Sequence, residues 1–462
     1  MKTRFLTLLI PALLLSACSD DFTTLSPISE RNIGSFYQTQ GDFEVAINGA
    51  YDALQDRGTF ATNFVLLMEM RADNAANGGG ATGLAATLEA LDTFNEIATA
   101  EELLTTWEDA YAGIARANTI LARIDGAEFT DEGARDQIKG EALFVRSLLY
   151  YHLAVIFGNI PFQFEEATTP DITVQQVPAS QIFTQISEDL ATAQSLLPST
   201  VSSSDEGRAT SHAAAALLGR VHLANGNNSA AATALQSVVN SGQYQLLDNF
   251  ADLWGESNEF NSESIFEVQF VGGGVGEGSP FIDMFTPNGL AGGVGGGVAP
   301  QDVTQDFVDA FEPGDARLAA TLDLTNADDP WVKKFDGVPF DAAESGINWM
   351  EMRYAEVLLN LAEALGEGSQ AYGYINQVRA RAGLDPIDAS TPGSFSEKLL
   401  QERRVELAFE NKRWADLIRF GQAKSVMASH LGVSEGTINL LFPIPQSQID
   451  VSPNDMTQNP GY

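Results

Sequence analysis

The chain has 462 residues, 44% of them hydrophobic and 19% charged, with a formal net charge of −37 at pH 7. That much negative charge repels nucleic acid and anionic lipid, while the apolar content and long periodic segments exclude a disordered chain. The single cysteine excludes an intrachain disulfide, and a chain this long can bury a large core, as one elaborate domain or two merged lobes.

The first residues read as an address. Lys2 and Arg4 precede an apolar run over residues 5–15, and Leu15-Ser16-Ala17-Cys18 follows as a small-residue cleavage site. The run falls short of the about 20 apolar residues that span a bilayer, and no later stretch reads as a span. Leu-Ser-Ala-Cys resembles the lipobox of bacterial lipoproteins. The resemblance implies a signal peptide over 1–17 and a diacylglycerol on the Cys18 thiol. Each buried CH₂ of an acyl chain is worth about 0.8 kcal/mol, so several chains hold a protein firmly to a membrane. Ser19-Asp20-Asp21 is similar to acidic surface-export signals, and the polar residues 18–40 suit a tether.

Beyond the tether the pattern is helical. Residues 42–54 carry Phe43, Ala46, Ile47, Ala50, Tyr51 and Leu54 on one stripe. An apolar segment over 64–70 ends in Arg71-Ala72-Asp73-Asn74 and a Gly/Ala-rich loop. Helices are expected over 101–124 and 135–157, the second apolar on most sides and therefore buried; Gly158-Asn159-Ile160-Pro161 stops it. Further helices are expected over 179–197, 212–225 and 229–241. In the last two, Gly219 and Ala231 occupy the small positions of a tetratricopeptide pattern and Leu235 a large one. Residues 351–365 with 370–381 form a similar pair. Several such hairpins point to an α-helical repeat scaffold.

Between the hairpins, residues 265–270 read as a strand. A glycine-dense segment over 271–298 follows, with Phe281, Met284 and Phe285 inside it. Glycine at this density does not hold a helix, and long irregular insertions are commonly functional. The stretch 397–421 returns to helical spacing and is rich in charge, with Lys398–Glu402, Lys412–Asp416 and Glu410–Arg413 at attractive intervals. It reads as one long helix, either with a solvated charged face or as a docking helix.

Catalytic chemistry has little support. His152, His212, His222 and His430 form no metal-binding pair, and no phosphate-binding glycine motif is complete. Gly432-Val433-Ser434-Glu435-Gly436 matches G-x-S-x-G, but a helix precedes it where a nucleophile elbow needs a strand. The expectation is a non-enzyme without cofactors; a structural Ca²⁺ site at the surface stays open, although no segment has the EF-hand spacing. Binding remains. Sugars are held by aromatic faces with a few placed polar groups, which makes Arg71, Asp73, Asn74, Phe281, Phe285, Trp331 and Trp349 the candidates.

An ordered set of motifs carries a wider resemblance. Arg353-Tyr354-Ala355-Glu356-Val357-Leu358 leads to Val378-Arg379-Ala380-Arg381-Ala382-Gly383-Leu384; Glu402-Arg403-Arg404-Val405-Glu406-Leu407 leads to Arg413-Trp414-Ala415-Asp416-Leu417. Pro443-Ile444-Pro445 and Gln458-Asn459-Pro460-Gly461-Tyr462 follow, and Glu141-Ala142-Leu143-Phe144-Val145-Arg146 agrees in the first half. Together they resemble the SusD/RagB family of outer-membrane nutrient-uptake lipoproteins. The resemblance implies a mainly α fold, with tetratricopeptide-like hairpins packed against an irregular ligand-binding face. It implies a cell-surface lipoprotein that captures an oligosaccharide or peptide and delivers it to a SusC-like, TonB-dependent transporter. It divides the chain into signal 1–17, tether 18–40, and two integrated parts, 41–250 and 251–462. It also recasts 397–421 as an internal clasp whose arginines serve stability. Two rival readings are an envelope tetratricopeptide adaptor that binds only protein, and a lipid-anchored hydrolase using Ser434.

Overall fold

In the computed structural model, which describes residues 36–76, 84–168, 175–286, 302–326, 330–335, 337 and 344–462, helices stack largely in sequence order. Thr39 and Asp42 form a capping box on the first, Gln40–Asp52, and Phe43, Ile47 and Ala50 turn inward as their spacing predicts. This helix lies on the hairpin Glu101–Arg123 with Glu132–Phe157. From there Glu132–Phe157 packs on Ala179–Leu196, that on Ser211–Ala224, and that on Asn228–Ser241. The chain then leaves the stack and returns as Tyr354–Leu365, which packs directly on Asn228–Ser241 and is followed by Ser369–Arg381. Residues 242–353 are therefore an excursion between two neighbouring helices. They supply the irregular side of a mainly α molecule.

Two contacts show how sequence sets this packing. A Cβ on Gly219 would lie 2.4 Å from Cγ of Leu235, so the small and large positions of the hairpin interlock. Gly158, at φ 72, ends the Glu132–Phe157 helix where a Cβ would meet Leu441. That helix is apolar enough in one window to cross a membrane, but 94% of the window is buried in the protein. It is the core helix expected from its composition.

Three departures from the expected elements bear on the site, the first a short buried helix, Phe281–Phe285, inside the glycine-dense segment. Glu351 belongs not to a helix but to the strand Trp349–Arg353, which pairs antiparallel with Ser264–Val268, Val268 opposite Trp349. The strand is buried along its whole length, and its charged side chains are held by ion pairs that a hairpin helix would point elsewhere. The 397–421 stretch is two helices, Phe395–Glu406 and Arg413–Arg419. The turn between them holds Phe409 and Asn411 in left-handed conformations, each at φ 60. The expected local charge pairs give way to distant ones. Lys412 reaches Glu351, Arg413 reaches Asp73, and Glu410 reaches Lys334 and Arg353.

Candidate functional site

Short ladders gather the flanks of the irregular segments. Ala75–Ala76 pairs antiparallel with Asp302–Val303, Ala76 opposite Asp302. Asp302–Val303 also borders Trp331–Val332, which pairs with Leu322–Asp323. Residues 76, 302 and 331 thus share one edge of the excursion. Strand alternation buries Val332 and leaves Trp331 half-buried and Lys333 exposed.

The chain then dives inward. Lys334 is fully buried; its Nζ donates to the Ala408 carbonyl at 2.6 Å, pairs with Glu410, and lies 4.1 Å from the Trp254 ring centroid. Burial lowers its pKa to about 8, against the opposing pull of Glu410. Phe335 stacks on Phe285 at 4.6 Å between centroids and on Trp349 at 5.9 Å. The Trp331 hairpin is therefore anchored from beneath by one ion pair and an aromatic layer.

Of the seven candidate residues, six are buried. Arg71 is fully buried: it donates to the Asn439 carbonyl at 2.6 Å, pairs with Glu96, reaches the Tyr462 hydroxyl, and sits 3.7 Å from the Phe442 ring centroid. Asp73 accepts from Arg413 at 2.6 and 2.8 Å. Burial would raise the Asp73 carboxyl, but Arg413 and Arg404 hold it below the usual range. Asn74 accepts from Arg404 at 3.0 Å through its side chain, and its carbonyl accepts the Thr304 N–H, tying the start of one ladder to its partner. Phe281, Phe285 and Trp349 are core, each in contact with Phe335, and Phe281 also meets Trp349. These six side chains are spent on the protein and offer no surface to a ligand in this conformation. Trp331 is the one of the seven that is not buried.

Sequence reasoning missed the size of the ionic layer. Arg353 bonds Glu263, Glu406 and Glu410 at 2.6–2.7 Å. Arg317 bonds Asp315, Glu402 and Glu406. Burial would raise the Glu406 carboxyl, but Arg381, Arg353 and Arg317 together hold it far below the usual carboxylate range. A second cluster joins Arg220 to Glu351 and Glu356, with Lys412 and His152 beside Glu351. The signal that could have found them is a charge inside an otherwise apolar strand, as in Trp349-Met350-Glu351-Met352-Arg353, because a buried charge requires a partner.

Other features carry less. The space beside Trp349 is about 20 Å³, far below the roughly 300–1,000 Å³ of small-molecule sites. A larger cleft of about 810 Å³ lies among the helix ends, lined by Tyr151, Phe183, Phe395, Ile418 and Arg419, and none of the seven candidates borders it. Ser434 is exposed and lies 3.3 Å from Thr437 on the same turn, after a helix. His152 stacks on Phe64 at 4.7 Å between centroids, a packing role. Among the described residues no three His, Cys, Asp or Glu side chains group as metal ligands.

Comparison with known proteins covers nearly the whole chain. Residues 331–462 match the SusD family, and residues 39–223 match a family described as starch-binding and associating with outer membrane. SusD-like protein P2 of Formosa agariphila is 29% identical over the full length of both chains. A solved structure titled Laminarin binding SusD-like protein is 30% identical, with a TM-score of 0.82 over 92% of this chain and all of that one. Surface glycan-binding protein A from Bacteroides fluxus is 28% identical, with a TM-score of 0.81 over 92% of this chain and 100% of that one.

Proposed function

This chain belongs to the SusD family, and from that premise we propose that it is a cell-surface lipoprotein of the outer membrane that captures an oligosaccharide and delivers it to a SusC-like, TonB-dependent transporter. One observation carries the glycan reading: a laminarin-binding relative shares 30% identity and the fold over 92% of this chain. The Bacteroides fluxus glycan-binding protein supports the same reading. The lipobox supports anchorage through Cys18, after a signal over 1–17 and with a tether over 18–40. The parts 41–250 and 251–462 act as one body.

In this reading Trp331 provides the sugar-stacking surface. An aromatic face buries the apolar side of a pyranose ring while nearby polar groups take its hydroxyls. The hairpin is preorganised because Lys334 and Phe335 are fixed in the core, so little ordering cost falls on binding.

The test is titration of the protein with laminarin and other oligosaccharides, alongside Trp331→Ala. Binding to at least one glycan, weakened about tenfold or more in the variant, is the expected result; truncating an aromatic anchor at the centre of a contact commonly costs about 2 kcal/mol or more. Binding to peptides alone would replace the glycan reading. Protection of the protein from protease added to intact cells would remove the surface location.

A further inference from the structure

The loop side of the molecule is poor in available positive charge. No lysine or arginine occurs between residues 72 and 115, between 221 and 316, or between 335 and 352. Across the whole excursion the basic residues are Arg317, Lys333, Lys334 and Arg353, and Arg353 is buried against Glu263, Glu406 and Glu410. Arg317 and Lys334 are buried in ion pairs. Arg71, Arg404 and Arg413, on other elements, are equally committed. Arg71 is held by Glu96, Arg413 by Asp73, and Arg404 by Asp73 and Asp306 at 3.1 and 2.8 Å. Among the described residues of the excursion, Lys333 is the exposed cation. It lies on the same hairpin as Asp323, whose carboxyl is held down first by hydrogen bonds from Thr325 and then by the charge of Lys333. Asp302, on the strand that borders this hairpin, is exposed, as are Asp306 and Asp309 on the helix that follows that strand.

Sulfate and uronate groups are recognised by guanidinium or ammonium groups free to form charge-assisted hydrogen bonds. Here those groups face inward and are saturated, except Lys333, which shares its hairpin with the Asp323 carboxylate, and the field outside is negative. We propose that the glycan taken at the loop face is uncharged, and that sulfated and uronate-bearing chains are excluded by the charge distribution. This rests on the glycan-binding reading above. It adds a selection rule to that reading: recognition proceeds by stacking and hydroxyl hydrogen bonds, with no ion pair between protein and sugar.

Affinity electrophoresis of the full-length protein in detergent tests it, using native gels that contain laminarin, a neutral galactomannan, alginate or carrageenan, each with and without calcium. At least one neutral polymer should retard the protein, while alginate and carrageenan leave its mobility unchanged in every condition. Raising NaCl from about 0.05 to about 0.5 M should change the neutral retardation less than about twofold, because screening acts on ion pairs that this contact lacks. Retardation by alginate or carrageenan, with or without calcium, overturns the selection rule and leaves glycan binding standing. Absence of retardation by every polymer overturns glycan binding itself, and the rule with it.

Discussion

Glu69 lies under the turn that divides the charged stretch, and its Oε1 accepts the Asn411 N–H at 2.6 Å. Burial pushes its carboxyl up to about 7, against the opposing effect of that hydrogen bond, Lys334 and Lys412. A carboxyl raised in the folded state binds its proton more tightly there than in the unfolded chain. Its contribution to stability is therefore full below the unfolded value near 4.5 and is lost as pH rises through about 7. Glu69→Gln keeps the acceptor and removes the titration. At pH 8 the variant should be the more stable protein by up to about 3 kcal/mol, with the gap closing toward pH 5, as read from urea midpoints across that range. Arg413 makes the opposite case. Arg413→Ala leaves Asp73 buried with Arg404 as its remaining partner, and should cost about 3 kcal/mol, the low end for breaking a buried pair. A denaturation midpoint unchanged from the parent would refute that role. The residue types at these positions were legible as charges, but their partners were not. Helical spacing suggested local pairs worth about 0.2–0.5 kcal/mol each, whereas a desolvated charge is governed by whatever the fold brings to it.

At the scale of elements, the turn between Phe395–Glu406 and Arg413–Arg419 is the junction of the excursion with the stack. Glu410 takes Lys334 and Arg353, Asn411 takes Glu69, and the Phe409 ring meets Phe285 and Phe307. Left-handed backbone at two non-glycine residues costs energy that these contacts offset. The Asn411 side-chain amide has no hydrogen-bond partner among the described residues, so Asn411→Gly should change stability by less than about 1 kcal/mol. Asn411→Val, branched at Cβ, should lower it by about 1–2 kcal/mol; equal thermal midpoints for the two variants would show that the backbone is unstrained. Within the stack, Gly219→Ala forces a Cβ against Leu235 and should cost about 1–3 kcal/mol as overpacking. Combining it with Leu235→Ala should cost less than the sum of the single changes, which a double-mutant cycle measures. The hairpins were legible because a small residue opposite a large one, a few turns apart, is a local pattern. The turn was not, because its shape depends on Lys334, Arg353 and Glu69, each far from it in sequence.

At the scale of the whole molecule, many of the basic residues are buried with carboxylates, among them Arg71, Arg146, Arg220, Arg317 and Arg353. The exterior keeps few cations among many carboxylates, so it stays strongly acidic. Such a surface repels itself, and salt should relieve it. The thermal midpoint should rise by several degrees between about 0.02 and 0.5 M NaCl, the direction opposite to loss of exposed salt bridges; a falling midpoint would mean that attractive surface pairs dominate. By itself the sequence determined the helical stack, the acidic balance, the lone cysteine and the family, because each resides in periodicity, composition or short motifs. Only the tertiary structure decided that Arg71, Asp73, Asn74, Phe281, Phe285 and Trp349 are buried while Trp331 stays half-buried. Burial of a side chain depends on what packs over it, and here Arg71 is closed by Tyr462 and Asp73 by Arg413, contacts made across most of the chain.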